Sequence, residues 1–480
     1  MKKIFRLFIY MSLLIMSSCS LDADLKSAIT TNGAWETSSD AKAAMYGMLS
    51  RFRGAFSSDY IYWGEYRTGL WGPGAGNITQ NTRDQVYANA IPATHSEANW
   101  GSIYTTINDA NLILKHVPSI SFGNKSEYGM VMGNALFVRA FCYYWIVRIW
   151  GDAPLLLDGY ESEENMYPTR SPKADIFVQI EKDLSAAENY LKDVSIGPNY
   201  ANIDAVHTLQ TDMYLWLYKV EGQKEALSKA RVSCNAVLGK RTLLDNFADV
   251  FSVDNKNNAE EIFVISMIKD EAEGGAQADW LVPQQDCSSA LYENPVKVGS
   301  HQQWTLITNE YRDLVSSVSG DTRASVTYQS YYDAAKKSAH VWMNKYSGTW
   351  TNSERIFNSD YIFYRYPDVL LFDAEISCAE GQPSNALKSL NAVAKRAYKV
   401  DNYYPSTLTS EEILNAILNE RLKEFCCEGK LWWDYIRMGV VFTKVPSLQG
   451  KENKKNILLW PISQTSLNQN PNLTQTDIEY

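Results

Sequence analysis

The sequence predicts a mainly α-helical protein: tetratricopeptide-like helix pairs form a scaffold, long loop-rich insertions interrupt it, and β-structure is sparse. Three observations point there. Apolar residues recur at helical spacing over about 100–239 and again over about 360–439. The turn Glu221-Gly222-Gln223 has an echo in Glu380-Gly381-Gln382, and each joins an aromatic-rich helix to an Ala-rich one, with Ala226-Leu227 and Ala386-Leu387 following. Antiparallel helix pairs closed by a small turn residue are the unit of such repeats. Strand-like patterning is convincing only at Glu261–Ile265.

Along the chain, residues 1–18 read as a targeting segment. Lys2, Lys3 and Arg6 precede an apolar run from Leu7 to Met16, broken only by Ser12. That run is shorter than the roughly 20 residues a membrane span needs. It ends in Met16-Ser17-Ser18-Cys19, which resembles a bacterial lipobox: small residues before the cut, then a thiol to carry the lipid. Cys19 is therefore the expected lipid attachment site, and 19–480 the expected single domain. Asp22 and Asp24 just behind Cys19 resemble a surface-export signal.

Residues 54–99 lack a helical period and hold Tyr60, Tyr62, Trp63, Tyr66 and Trp71 among glycines. Gly72, Gly74 and Gly76 read as a mobile loop, since no strand precedes a phosphate cradle there and Pro73 interrupts it. Within 100–239, a stripe from Met132 through Leu136, Ala140, Tyr143 and Val147 to Trp150 marks a helix over 127–150, buried on most sides and stopped by Gly151 and Pro154. Ser171-Pro172 reads as N-cap and first turn of the next helix, and further helices are expected over about 203–221 and 224–238. The second insertion, about 240–358, carries Trp280, Tyr292, Trp304, Trp342 and Trp350. Insertions of this length are usually functional.

Composition narrows the function. Lys and Arg total 45 against 55 acids, for a net charge of −10, which argues against nucleic acid as a partner. Tyr and Trp dominate the aromatics at 30 and 14, and both join a flat apolar face to a polar handle. The five histidines show no metal spacing, Asp254–Glu261 misses the calcium-loop pattern, and neither a nucleophile elbow nor a P-loop occurs, so no metal and no cofactor are expected. Cys142, Cys234, Cys287, Cys378, Cys426 and Cys427 form no C-x-x-C pair and are expected to be buried thiols.

The densest motif is Arg421, Glu424, Phe425, Glu428, Gly429, Trp432, Trp433, Asp434, Arg437 and Gly439. Helical spacing would place Arg421, Phe425, Glu428, Trp432 and Tyr435 on one face, with Arg421–Glu424 and Asp434–Arg437 as i,i+3 ion pairs. Glu424 and Glu428 have the composition of an acid/base pair, but a buried ion-pair lattice is the expected role.

Residues 421–439 closely resemble the C-terminal signature of SusD/RagB-type outer-membrane lipoproteins. The resemblance extends to Val138–Tyr144 with Trp150–Pro154, to Tyr364–Leu371 with Ala374-Glu375, and to Leu459–Ile462 with Asn470–Gln475; it departs at Lys430-Leu431 and Thr476. It implies four tetratricopeptide-like helix pairs with ligand-bearing insertions. It also implies a lipid-anchored, outward-facing protein that binds oligosaccharide and hands it to a SusC-like TonB-dependent transporter. A peptide-binding RagB-like relative, a surface glycoside hydrolase and a structural lid are the alternatives. The signature transfers no ligand residues, so physics nominates them: sugar C–H faces lie on aromatic rings while Arg, Asn and Gln bond hydroxyls. Tyr66, Arg67, Trp71, Asn77 and Gln80 in the first insertion and Trp280, Tyr292 and Trp304 in the second are the candidates. Trp71, flanked by Gly69, Gly72 and Gly74, is expected to have no element of its own to pack on.

Overall fold

The computed structural model describes residues 34–74, 82–161, 166–299, 302–351 and 353–480. Its long helices are α1 (Ser38–Phe56), α2 (Gly101–His116), α3 (Lys125–Trp150), α4 (Lys173–Leu191), α5 (Ile203–Lys219), α6 (Ala226–Asn235), α7 (Tyr366–Ala379), α8 (Pro383–Tyr398) and α9 (Ser410–Glu424). They pack as four pairs in chain order: α1 on α2, α3 on α4, α5 on α6, and α7 on α8. The row is continuous, because α2 touches α3, α4 touches α5, α6 touches α7 across the second insertion, and α8 touches α9. This is the helix-pair scaffold the sequence predicts.

Helix α1 lies outside the expected helical regions, yet its signals are local. Thr37 and Asp40 form a capping box, the Asp40 N–H donating to Thr37 Oγ1 at 3.2 Å and the Thr37 N–H to Asp40 Oδ2 at 2.7 Å. Ala41, Met45, Met48, Phe52 and Phe56 then bury one stripe. Helix α3 is long and apolar enough to cross a membrane, but 94% of that stretch is buried inside the protein, which makes it a core helix. Its glycines set the distance to α4: a Cβ on Gly133 would lie 2.4 Å from Leu191 Cγ, and one on Gly129 2.6 Å from the Tyr190 carbonyl. Arg139 locks the same crossing with two bonds to Asp183 (2.8 and 2.7 Å) and reaches Asn111 on α2 at 2.8 Å. Helix α4 starts one residue later than expected. Ser171 exchanges two backbone bonds with Ala153 and is not free to cap, so Pro172 takes the N-cap position.

Strands are short and paired in twos. Glu261–Ile265 pairs antiparallel with Tyr361–Arg365, a run expected to begin the second helical region. Both strands are buried throughout, so they lack the alternation that betrays a half-exposed strand. A hairpin of Tyr328–Asp333 and Ser338–Met343 adds β-structure inside the second insertion. All six cysteines in the described residues are free thiols, and five are buried.

The C-terminal motif does not form one helix. Helix α9 ends at Glu424, Cys427 and Gly429 both adopt φ of 70°, and a new helix runs Leu431–Arg437. The single-face reading is corrected accordingly. Asp434–Arg437 pairs at 2.9 Å as expected, but Arg421 is ion-paired with Asp434 at 2.8 Å and not with Glu424. Glu424 instead faces Arg365, Arg396 and Arg323, three guanidinium groups delivered by other elements. Glu428 receives Arg365 at 2.8 Å and Lys345 at 2.6 Å. These side chains are almost wholly buried, and unpaired charges there would be prohibitively costly, so the lattice is held together by mutual neutralisation. Trp432 packs in the same core, with the Arg67 guanidinium 4.3 Å from its ring centre.

Candidate functional site

The two insertions meet. Trp71–Pro73 pairs antiparallel with Thr305–Ile307, Trp71 opposite Ile307 and Pro73 opposite Thr305. The Gly74 N–H donates to the Trp304 carbonyl at 3.2 Å, and the Tyr87 hydroxyl donates to Thr305 Oγ1 at 2.6 Å. Gly74 is required by this contact, since a Cβ there would sit 2.1 Å from the Gln303 carbonyl. Gly64 serves likewise, with the Gly429 carbonyl 2.0 Å from where its Cβ would be. The expectation of a mobile loop is corrected at Gly72 and Gly74, which are strand and close contact; Gly76 lies outside the described residues.

At this junction runs a column of rings in edge-on and tilted contact. Tyr62 lies 4.9 Å from Tyr66, Tyr66 lies 5.2 Å from Trp71, and Trp71 lies 5.7 Å from Trp280. Tyr60, Tyr62 and Trp63 sit on a short helix, Asp59–Gly64, and Tyr66 on the turn after it, so these aromatics do have a helical element beneath them. The Trp71 indole N–H donates to Glu65 at 3.0 Å, and that of Trp280 to the Tyr66 hydroxyl at 3.0 Å. Glu65 also accepts the Cys427 and Gly429 N–H groups, yet burial pushes its carboxyl up to about 8.

This placement corrects four ligand candidates. Tyr66, Arg67, Trp71 and Trp280 are all buried, Trp71 at 2% exposure, and none offers a face to solvent. Trp71 has a floor to pack on, made of rings from both insertions. Arg67 spends its donors internally, on Asn89 at 2.7 Å and on the carbonyls of Leu458 and Ile457 at 2.6 and 2.7 Å. Asn77, Gln80 and Cys19 lie outside the described residues. Trp304 and Tyr292 are half-buried, but they face different neighbours. Tyr292 packs edge-on against Trp350 at 6.0 Å, with its hydroxyl on the Gln284 carbonyl.

Trp304 sits where the insertions join. Arg83, on the short helix Arg83–Tyr87, lies 5.8 Å from the Trp304 ring centre and 5.3 Å from that of Tyr62, and it is ion-paired to Asp279. Burial alone would lower its pKa, but Asp279 and the tyrosines around it hold it above the ordinary arginine value. A partly exposed indole thus lies beside a partly buried guanidinium–carboxylate pair. Sequence reasoning missed Arg83, Tyr87 and Asp279, because only the strand pairing brings them to Trp304.

A concavity of about 520 Å³ lies between α2, residues 154–160, residues 166–168 and residues 466–473. Trp100, Tyr104, Tyr160, Met166 and Tyr167 line it, with Tyr167 half exposed. The C-terminal carboxylates offer no comparable site. Glu424 and Glu428 are closed off from solvent and are both held ionised. Burial would raise each, but Arg396, Arg365 and Arg323 hold Glu424 far below the usual range, while Arg365, Lys345 and Lys430 hold Glu428 at about 2. They do not form an acid/base pair open to substrate.

Residues 291–480 match the SusD family, and residues 72–215 match a family described as starch-binding and associating with the outer membrane. The chain is similar to SusD-like protein P38 of Formosa agariphila, at 24% identity over 97% of both chains. B. fragilis NanU superposes with a TM-score of 0.82 at 26% identity, covering 95% of this chain and 99% of that one. A SusD superfamily protein from Bacteroides vulgatus superposes with a TM-score of 0.80 at 26% identity, covering 92% and 99%. With its four helix pairs and C-terminal ion lattice, the chain belongs to the SusD-like family.

Proposed function

We propose that this protein is a glycan-binding lipoprotein of the outer membrane, anchored through Cys19 and facing outward, which captures oligosaccharide and passes it to a SusC-like TonB-dependent transporter without chemistry of its own. The observation that carries the binding site is the convergence of the two insertions on Trp304, Arg83 and Asp279. A sugar ring laid on the Trp304 face would place its hydroxyls within reach of the guanidinium and the carboxylate, the division of labour sugars demand. The starch-binding description of the family matched by residues 72–215 supports the same ligand class. Tyr292 and Trp350 stand as a secondary contact on the same insertion.

The test is a glycan panel followed by calorimetry on the best ligand. Trp304→Ala should weaken binding by about 1–3 kcal/mol, the scale of ring stacking on an aromatic, with an unchanged melting temperature. If Trp304→Ala and Arg83→Met both bind like wild type while Tyr167→Ala does not, the site lies in the cleft beside α2. Binding of peptides and of no glycan would overturn the ligand class.

A further inference from the structure

We propose that Cys287, Asp333 and His340 form a binding site for a divalent transition metal of the zinc type in the second insertion. Their ligand atoms all lie within 4.8 Å of one another, and the three side chains are 2%, 1% and 7% exposed. The hairpin register explains the convergence. Asp333 stands opposite Ser338, and His340 is two residues further along that strand, so the carboxylate and the imidazole share one face of the hairpin. Cys287 approaches from outside, next to Ser288, whose N–H donates to Asp333 at 2.8 Å.

The donor set is coherent for zinc, which takes thiolate, imidazole and carboxylate in tetrahedral sites and fills a fourth position with water. Ligand atoms around such an ion stand roughly 3–4 Å apart, as bonds of about 2.0–2.3 Å require, so closure of about 1 Å by side-chain rotation completes the site. The surroundings already hold the ligands in place. The N–H groups of Ala335 and Lys336 donate to Asp333 at 2.9 and 3.1 Å, and the Ser338 hydroxyl lies 3.2 Å from a His340 ring nitrogen. Such outer contacts orient metal ligands. Binding would release the thiol proton of Cys287 to solvent and tie the hairpin to the segment leading to Tyr292.

Full-length protein in detergent, stripped with chelator, tests this with Zn²⁺ and Co²⁺ as probes. One equivalent of Zn²⁺ should bind, Co²⁺ should give a thiolate-to-metal charge-transfer band, and Zn²⁺ should raise the melting temperature. Cys287→Ser should abolish the band, and Cys287→Ser and His340→Gln should each weaken Zn²⁺ binding at least about tenfold, the lower end of the loss seen when a mere outer-shell partner is removed. No bound zinc, a cobalt spectrum without the thiolate band, or variants that bind as tightly as wild type would overturn the site. Should a variant fail to fold, the cobalt spectrum of the wild-type protein decides alone.

Discussion

Replacing Glu424 by Gln removes one negative charge from the buried lattice and leaves its shape. The carboxylate faces Arg323 at 3.2 Å and also meets Arg365 and Arg396, and no member of the group is more than 5% exposed. At about 3 Å and an effective dielectric near 20, each contact is worth roughly 5 kcal/mol gross. Most of that offsets the cost of burying the charges, and breaking a buried pair has a net cost of about 3–5 kcal/mol because it strands the partners. Glu424→Gln should therefore lower the guanidinium denaturation midpoint clearly, read by tryptophan fluorescence. The comparison is Lys395→Met, which breaks a pair with Asp401 that is also close, at 2.6 Å, but is 64% and 74% exposed. Water and mobile side chains cancel such a pair, so no shift in midpoint is expected. Equal midpoints for the two variants would mean that burial does not set the strength of these interactions, and the reading of the C-terminal motif would fall.

Trp71→Ala should cost about 3–5 kcal/mol of stability, as for other buried tryptophans, and a melting temperature equal to wild type would show that the ring column is not structural. Glu65 reverses the usual pH dependence of a carboxyl. Its folded value of about 8 exceeds the unfolded 4.5, so its contribution is complete below pH 4.5 and is lost as pH rises through 8. Denaturation midpoints measured from pH 5 to 9 should fall less steeply in Glu65→Gln than in wild type; parallel slopes would refute the assignment. Cys19→Ala should leave folding intact and release the protein from the membrane fraction, and firm attachment of the variant would sink the lipid anchor.

What could be read in advance depended on how far apart in sequence the deciding residues lie. The stripe of α3 and its stop at Gly151 are local and were legible. The capping box and apolar stripe of α1 are equally local and were overlooked. Tyr60 to Trp71 were misjudged for a different reason. Their glycines look like flexibility, yet Gly64 is small because the Gly429 backbone presses on it, and Gly74 because Gln303 does. No pattern within the loop carries that information. The same holds for charge: the spacing of Arg421 and Glu424 allows a pair, but Arg365, Arg396 and Arg323 arrive from elsewhere and outbid Arg421 for the carboxylate. Arg83 and Asp279 stayed invisible because a site assembled from two insertions has no sequence motif of its own.

The antiparallel pair of Glu261–Ile265 with Tyr361–Arg365 acts as a clasp, bringing together the two ends of the stretch between α6 and α7. An exchange of the cassette between the two strands would keep the contact of α6 with α7, but it would have to resupply the charges that Arg323 and Lys345 carry from this stretch to Glu424 and Glu428. Nor is the cassette independent on its other side, since among the described residues its Thr305–Ile307 strand has its only ladder partner in Trp71–Pro73. A chimera that swaps one insertion alone would leave two orphaned strand edges and a torn ring column. Change of ligand preference in this scaffold is therefore expected to require both insertions to be replaced together.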